Sequence, residues 1–180
     1  MNVLRRSLVM ENVEIIDNFL TEYQFKQLSS IILSSTFPWY GVNGIVYDDD
    51  GLHQFIHAFY KSASIDPYPG QERKSDHFSS IGAFQHKLGV RNLLKAKVNL
   101  RPKTFFRQLS PYHVDITNGP SAQKTAIFYL NTCNGYTKFR KGGKVKSVAN
   151  RVVIFPSHME HAGASCTDKD FRIVINFNYE

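Results

Sequence analysis

The last continuous stretch of the chain, Phe171–Tyr179, constrains the fold more than any other segment. Its residues alternate without a break: Phe171, Ile173, Ile175, Phe177 and Tyr179 share one face, and Arg172, Val174, Asn176 and Asn178 share the other. Strand side chains point to opposite faces in turn, so this is a strand with one apolar side and one largely polar side. The apolar side can pack on helices. The other side would place an arginine inside a closed or sandwiched sheet, where an unpaired charge is costly. Arg172 on an inward face therefore implies an anion opposite it, either a buried acid or a ligand carboxylate.

The rest of the second half has the same β texture. Residues 96–100, 104–109, 112–115, 125–130, 144–148 and 151–155 read as short strands separated by Gly, Asn and Pro turns, the pattern of a sandwich or barrel. The first half is mixed. Residues 13–20 predict a short strand and turn, and Thr21 is placed to cap a helix running to about Ser34, with Phe25, Leu28, Ile31 and Ile32 on its apolar face. Residues 43–47 suggest a strand, 48–51 a turn, and 52–60 a strand or short helix. Residues 61–77 are polar and rich in Pro, Gly and Ser, and form either a binding loop or a plain surface loop. Residues 79–94 read as a helix. At 180 residues the chain has the size of one domain, spanning 1–180, with a helical and mixed part at 1–94 and a β core at 95–180.

The chemistry-bearing residues lie in the β half. His113 and Asp115, two apart, point to the same side if they share a strand, and His161 can reach them from a distant one. Two imidazoles and one carboxylate hold non-haem Fe(II) on one face and leave its other positions open. A His-X-Asp pair alone is a weak signal, and His158 competes with His161 for the third position.

Taken in order, the motifs resemble a known family. They are His113-X-Asp115, Tyr129-Leu130-Asn131, Gly135-X-Thr137-X-Phe139, the block 150–157, His161-Ala162-Gly163 and Arg172-Ile173-X-Ile175-Asn176-Phe177. This set resembles the 2-oxoglutarate and Fe(II)-dependent oxygenases, and within them the small prolyl-4-hydroxylase-like members. Asp17-Asn18-Phe19-Leu20 and Phe37-Pro38-Trp39 also look like short forms carried by bacteriophages of marine cyanobacteria. The chain departs from the family at Gly135-Tyr136-Thr137, where paired glycines and an acid are usual, which puts the local hairpin in question.

The resemblance implies an α+β, mainly β fold: a double-stranded β-helix (jelly-roll) core with N-terminal helices packed on one face. It implies His113, Asp115 and His161 as iron ligands, since His161 with Ala162-Gly163 fits the ligand position better than His158. It implies Arg172 as the residue holding the far carboxylate of 2-oxoglutarate. Tyr129 and Asn99 are candidates to line the co-substrate site, with a core tyrosine and a strand-end cap as the competing readings; Asn131 stands in the same position as Asn99. The implied cofactors are Fe(II), 2-oxoglutarate and dioxygen, with ascorbate as an optional reductant. The implied substrate is a peptide, a protein residue or a free amino acid, hydroxylated at a C–H bond. A non-catalytic jelly-roll binding protein and a nucleic-acid-directed oxygenase are the alternatives.

Charge bears on the last of these. Lys and Arg total 22 against 15 Asp and Glu, a net charge of +7. Arg91, Lys95, Lys97, Arg101, Lys103 and Arg107 form one acid-free stretch, and Lys138, Arg140, Lys141, Lys144, Lys146 and Arg151 another. Such stretches can meet a polyanion, but no nucleic-acid motif accompanies them, and a solvated basic surface is the preferred reading. The segments 138–146 and 61–77 are candidates for the substrate-facing rim. The two cysteines, Cys133 and Cys166, read as small semi-buried residues, too few for a disulfide framework. No stretch is long and apolar enough to span a bilayer, and no apolar core follows the charged residues 1–6, so a cytoplasmic protein is expected (host cytoplasm for a phage-encoded chain).

Overall fold

A computed structural model describes residues 12–47, 50–65, 71–116 and 123–180. Strand β1 (Glu14–Ile16) leads into helix α1 (Glu22–Ile32). Thr21 caps α1 as its sequence predicts: its hydroxyl accepts the Gln24 amide, and the Gln24 side chain returns to the Thr21 amide as a capping box. Next come β2 (Tyr40–Asn43), β3 (His53–Lys61) and the short β4 (Arg73–Lys74). A 3-10 turn at Phe78–Ile81 runs into α2 (Gly82–Leu88). The core strands are β5 (Leu93–Pro102), β6 (Lys124–Tyr129), β7 (Tyr136–Phe139), β8 (Lys144–Lys146), β9 (Arg151–Pro156), β10 (His161–Ala164) and β11 (Phe171–Tyr179).

These strands form two antiparallel sheets. The larger runs β1-β9-β6-β11-β5-β3-β2, with β4 beside β3; the smaller runs β10-β7-β8. Strand β11 sits between β5 and β6, and its two faces separate as the alternation requires. Ile173, Ile175, Phe177 and Tyr179 join the core beneath the helices, while Arg172, Val174 and Asn176 line a cavity between the sheets. The helices hold the outer face through aromatic contacts: Phe84 lies 4.4 Å from Phe128 and 4.9 Å from Phe177, and Phe25 lies 6.1 Å from Phe128. This is a jelly roll with helices on one face. Within it, β7 and β8 pair as a regular hairpin despite the departure at Gly135-Tyr136-Thr137.

Four local expectations fail for identifiable reasons. The helix expected through residue 94 stops at Leu88, because Gly89 adopts φ 64° and closes it, its amide and that of Val90 turning back to His86 and Gln85. Of the strand expected at 43–47 only Asn43 forms, as the end of β2; residues 44–47 loop away, because the Asp50 carboxylate accepts the amides of Ile45, Val46 and Leu52. Residues 104–109 form no strand, and residues 112–115 form none either. Both segments instead touch β10 through isolated bridges, Leu109 opposite Ala164 and His113 opposite His161.

Candidate metal centre and anion pocket

His113 and Asp115 do not owe their common direction to a strand. What aligns the site is the bridge: His113 and His161 exchange both backbone hydrogen bonds at 3.0 Å, so their side chains emerge side by side, ring centroids 4.6 Å apart. Each imidazole is fixed by its Nδ1, which lies 3.2 Å from the Pro111 carbonyl for His113 and 3.0 Å from the Met159 carbonyl for His161. A carbonyl only accepts, so Nδ1 carries the proton and Nε2 presents a lone pair. Both Nε2 atoms face Asp115, at 3.9 Å from Oδ1 and 3.7 Å from Oδ2. All three ligand atoms lie within 4.8 Å of one another. At these separations the three groups do not hydrogen-bond to one another, and together they could hold one divalent ion.

The carboxylate is itself held. Thr125 Oγ1 donates to Asp115 Oδ2 at 3.0 Å and accepts from Asn178 Nδ2 at 3.0 Å. Burial alone would raise the Asp115 carboxyl; the nearby His161, Lys95 and His113 outweigh it and hold the group below its usual value. His113 is pushed below the ordinary imidazole value by burial and by His161. Both shifts favour the ligand forms, an ionised carboxylate and a neutral imidazole.

Arg172 lies farther along the same cavity, 4% exposed. One guanidinium nitrogen donates to Thr137 Oγ1 at 3.2 Å, Nε is buried without a partner, and no described carboxylate pairs with it. The group stands over the Tyr129 ring at 5.5 Å. Gly135 makes room for it: a Cβ there would sit 2.6 Å from Arg172 Cδ and 3.0 Å from the Ala164 carbonyl oxygen. A buried arginine with an orphan donor, facing a cavity of about 250 Å³, has the chemistry to take an anion.

The structure sorts the remaining candidates. Tyr129 is fully buried and donates its hydroxyl to Thr137 at 2.8 Å; it backs Arg172 from behind, and Thr137 is what lines the cavity. Asn99 lines the cavity. Asn131 does not: it clamps the start of β11, accepting from the Ile173 amide and donating to the Phe171 carbonyl. His158 is exposed on a turn, away from the cluster. No described residue of 61–77 or of 138–146 lines the cavity; from the first half of the chain Ile45, Val46 and Gln54 do. Arg140 and Lys144 stack on Tyr112 and Tyr136.

Two groupings escape sequence reasoning. Lys95, Lys97 and Arg101, read as surface charge, line the cavity. The signal was available in the parity of β5, where 95, 97, 99 and 101 share the face opposite Ala96 and Val98. Cys133, Cys166 and Asp168 also converge, their ligand atoms within 4.8 Å, although the cysteines lie far apart in sequence. Burial and then Cys133 push the Cys166 thiol up to about 11.

No family sequence model matches the chain, and no curated protein is detectably similar to it in sequence. Solved structures do match. An oxidoreductase of the 2OG-Fe(II) oxygenase family from Burkholderia pseudomallei superposes with TM-score 0.66 at 9% identity, over 93% of this chain and 85% of that one. A prolyl hydroxylase from Trichoplax adhaerens, in complex with a hypoxia inducible factor peptide fragment, gives 0.62 at 14% identity over 94% and 84%. A Pseudomonas putida prolyl-4-hydroxylase gives 0.58 at 17% identity over 96% and 94%. At these identities the likeness establishes that the chain has the jelly-roll fold of these oxygenases.

Proposed function

We propose that the chain is a 2-oxoglutarate- and Fe(II)-dependent dioxygenase that hydroxylates a C–H bond of an amino acid, free or within a peptide or protein. One observation carries the reading: a single cavity holds a His-Asp-His triad with both Nε2 lone pairs turned inward and, apart from it, a buried arginine lacking its anion. The likeness in fold to 2OG-Fe(II) oxygenases supports reading the two features together. One of them, the epimerase SnoN, was crystallised with Fe3+ and alpha-ketoglutarate.

Bound Fe(II), with 2-oxoglutarate and dioxygen, would supply the oxidising power, with succinate and carbon dioxide as by-products. The protein's own contribution follows from its residues. His113, Asp115 and His161 would hold the ion on one face, with tautomers set in advance by Pro111 and Met159. Arg172 would take the far carboxylate of 2-oxoglutarate, backed by Thr137 and Tyr129. The apolar walls Ile127 and Val174 and the loop pinned by Asp50 restrict water. The complete triad argues against a non-catalytic role. The likeness of residues 17–20 and 37–39 to phage forms supports action in a host cytoplasm.

The test is turnover. Purified protein with Fe(II) should convert 2-oxoglutarate to succinate in the presence of oxygen, and H113A should abolish it. Wild-type protein that forms no succinate with any amino acid or prolyl peptide offered would contradict the proposal.

A further inference from the structure

Strand β5 carries a row of cations into the cavity. Lys95, Lys97 and Arg101 all line it, and Asp115 is the one carboxylate among its described lining residues. Arg101 stands directly opposite Arg172 across the β5–β11 pair, a like-charge placement that costs stability. It is 6% exposed and donates to two carbonyls, those of Gly163 and Gln108, which bring no formal charge. Asp50, whose carboxylate also accepts three backbone amides, offsets Arg101 only in part: burial and Arg172 still outweigh it and lower the Arg101 pKa to about 10. Lys97 and Lys95 continue the row toward the triad, and each interacts electrostatically with Asp115.

The inference rests on the functional reading above. With that reading, 2-oxoglutarate does not neutralise this row. Its far carboxylate answers Arg172, and its near carboxylate together with Asp115 balances a divalent ion. Lys95, Lys97 and Arg101 are left over, an excess positive charge inside a partly closed cavity, where field lines concentrate. Three cations are costly to gather there unless something that visits the cavity is negative.

We propose that the molecule oxidised is itself an anion, with a carboxylate or phosphate group seated on Lys97 and Lys95 while the C–H bond to be oxidised faces the triad. The cations lie within the cavity wall, so the anionic group belongs to the small molecule or residue that enters. The backbone of a nucleic acid would instead have to meet the exposed cations around β7 and β8, of which Arg140 and Lys144 lie over Tyr112 and Tyr136.

The test uses protein loaded anaerobically with Fe(II) and 2-oxoglutarate, titrated calorimetrically with acetate and, as a stand-in for a phosphate ester, with sulfate. At least one should bind with a Kd of about 1 mM, the scale of one weak contact site. K97M and the double variant K95M/K97M should weaken it about tenfold or more, K97R should retain it, and the Kd of 2-oxoglutarate should stay within about twofold throughout. The stronger of the two anions identifies the source: acetate for an organic acid, sulfate for a phosphate ester. An acid should then stimulate succinate formation more than its amide, with L-glutamate against L-glutamine and L-proline against L-prolinamide as pairs. Three results would overturn the proposal: neither anion binds, both bind equally to K97M, or K97M weakens 2-oxoglutarate as much as it weakens the anion. Loss of single-stranded oligonucleotide binding in K97M would also overturn it, by assigning the row to a polyanion. If wild-type protein fails to bind 2-oxoglutarate at all, the functional reading fails on its own, separately from the anion result.

Discussion

Two residues outside the His113, Asp115, His161 and Arg172 set carry much of the cavity's precision. Gly135 is one, because a methyl group there meets Arg172 Cδ at 2.6 Å with the Ala164 backbone behind it. G135A should leave the far-ultraviolet circular dichroism spectrum unchanged and weaken 2-oxoglutarate binding by about tenfold, the scale of one displaced charge-assisted contact; an unchanged Kd would show that the arginine has room to move. Thr125 is the other. T125V removes the hydrogen bond that orients Asp115 and strands Asn178. Outer-shell losses of this kind typically weaken metal binding about 10- to 100-fold. Equilibrium dialysis with Mn(II) or Fe(II) reads this directly.

At the scale of elements, the helical layer is built on aromatic contacts. Phe84 touches Phe19, Phe128 and Phe177 and is fully buried, so F84A should cost about 3–5 kcal/mol in denaturant unfolding while leaving the cavity residues in place. Elements whose information is local were legible in the sequence. The α1 cap needs only Thr21 and Gln24, and β11 announces itself by alternation over its full length. Elements that depend on distant partners were not. Residues 112–115 read as a strand, yet what aligns His113 is a bridge to His161, and no local pattern encodes that pairing. The loop at 44–47 was obscured because residues 43–47 read as a strand, whereas the Asp50 carboxylate accepts the amides of Ile45, Val46 and Leu52. The convergence of His113, Asp115, His161 and Arg172 on one cavity was legible through chemistry: each is a residue type that a buried position tolerates only with a purpose. Lys95, Lys97 and Arg101 are less legible, because basic stretches usually lie on the surface and only the parity of β5 turns these three inward.

For the molecule as a whole, a packed histidine links stability to pH. His57 is 4% exposed, wedged between Phe37 and Phe59, with its nitrogens 3.0 Å from the Pro38 carbonyl oxygen and 2.9 Å from Ser75 Oγ. Burial, and then the nearby His77, holds its pKa below the ordinary imidazole value, against the pull of the Pro38 carbonyl. The unfolded chain therefore binds the proton more readily. Stability contributed by the neutral ring is complete above the unfolded value of about 6.5 and is lost as pH falls from there through the lower folded pKa. The difference in Tm between wild type and H57Q should accordingly narrow as pH falls from about 7.5 to 5.5. A gap that stays constant or widens would mean that the ring is not held neutral.

The two ends of the cavity make separable demands, and anaerobic calorimetry reads both in one preparation. Fe(II) should bind at one ion per chain, and 2-oxoglutarate should then bind to the loaded protein. H161A should lose the ion and with it the co-substrate, whereas R172A should keep the ion and lose 2-oxoglutarate by about a hundredfold, the range for an unpaired buried charge partner. Wild-type protein that takes up neither, or an R172A protein that binds 2-oxoglutarate as well as the wild type, would contradict the account at its centre.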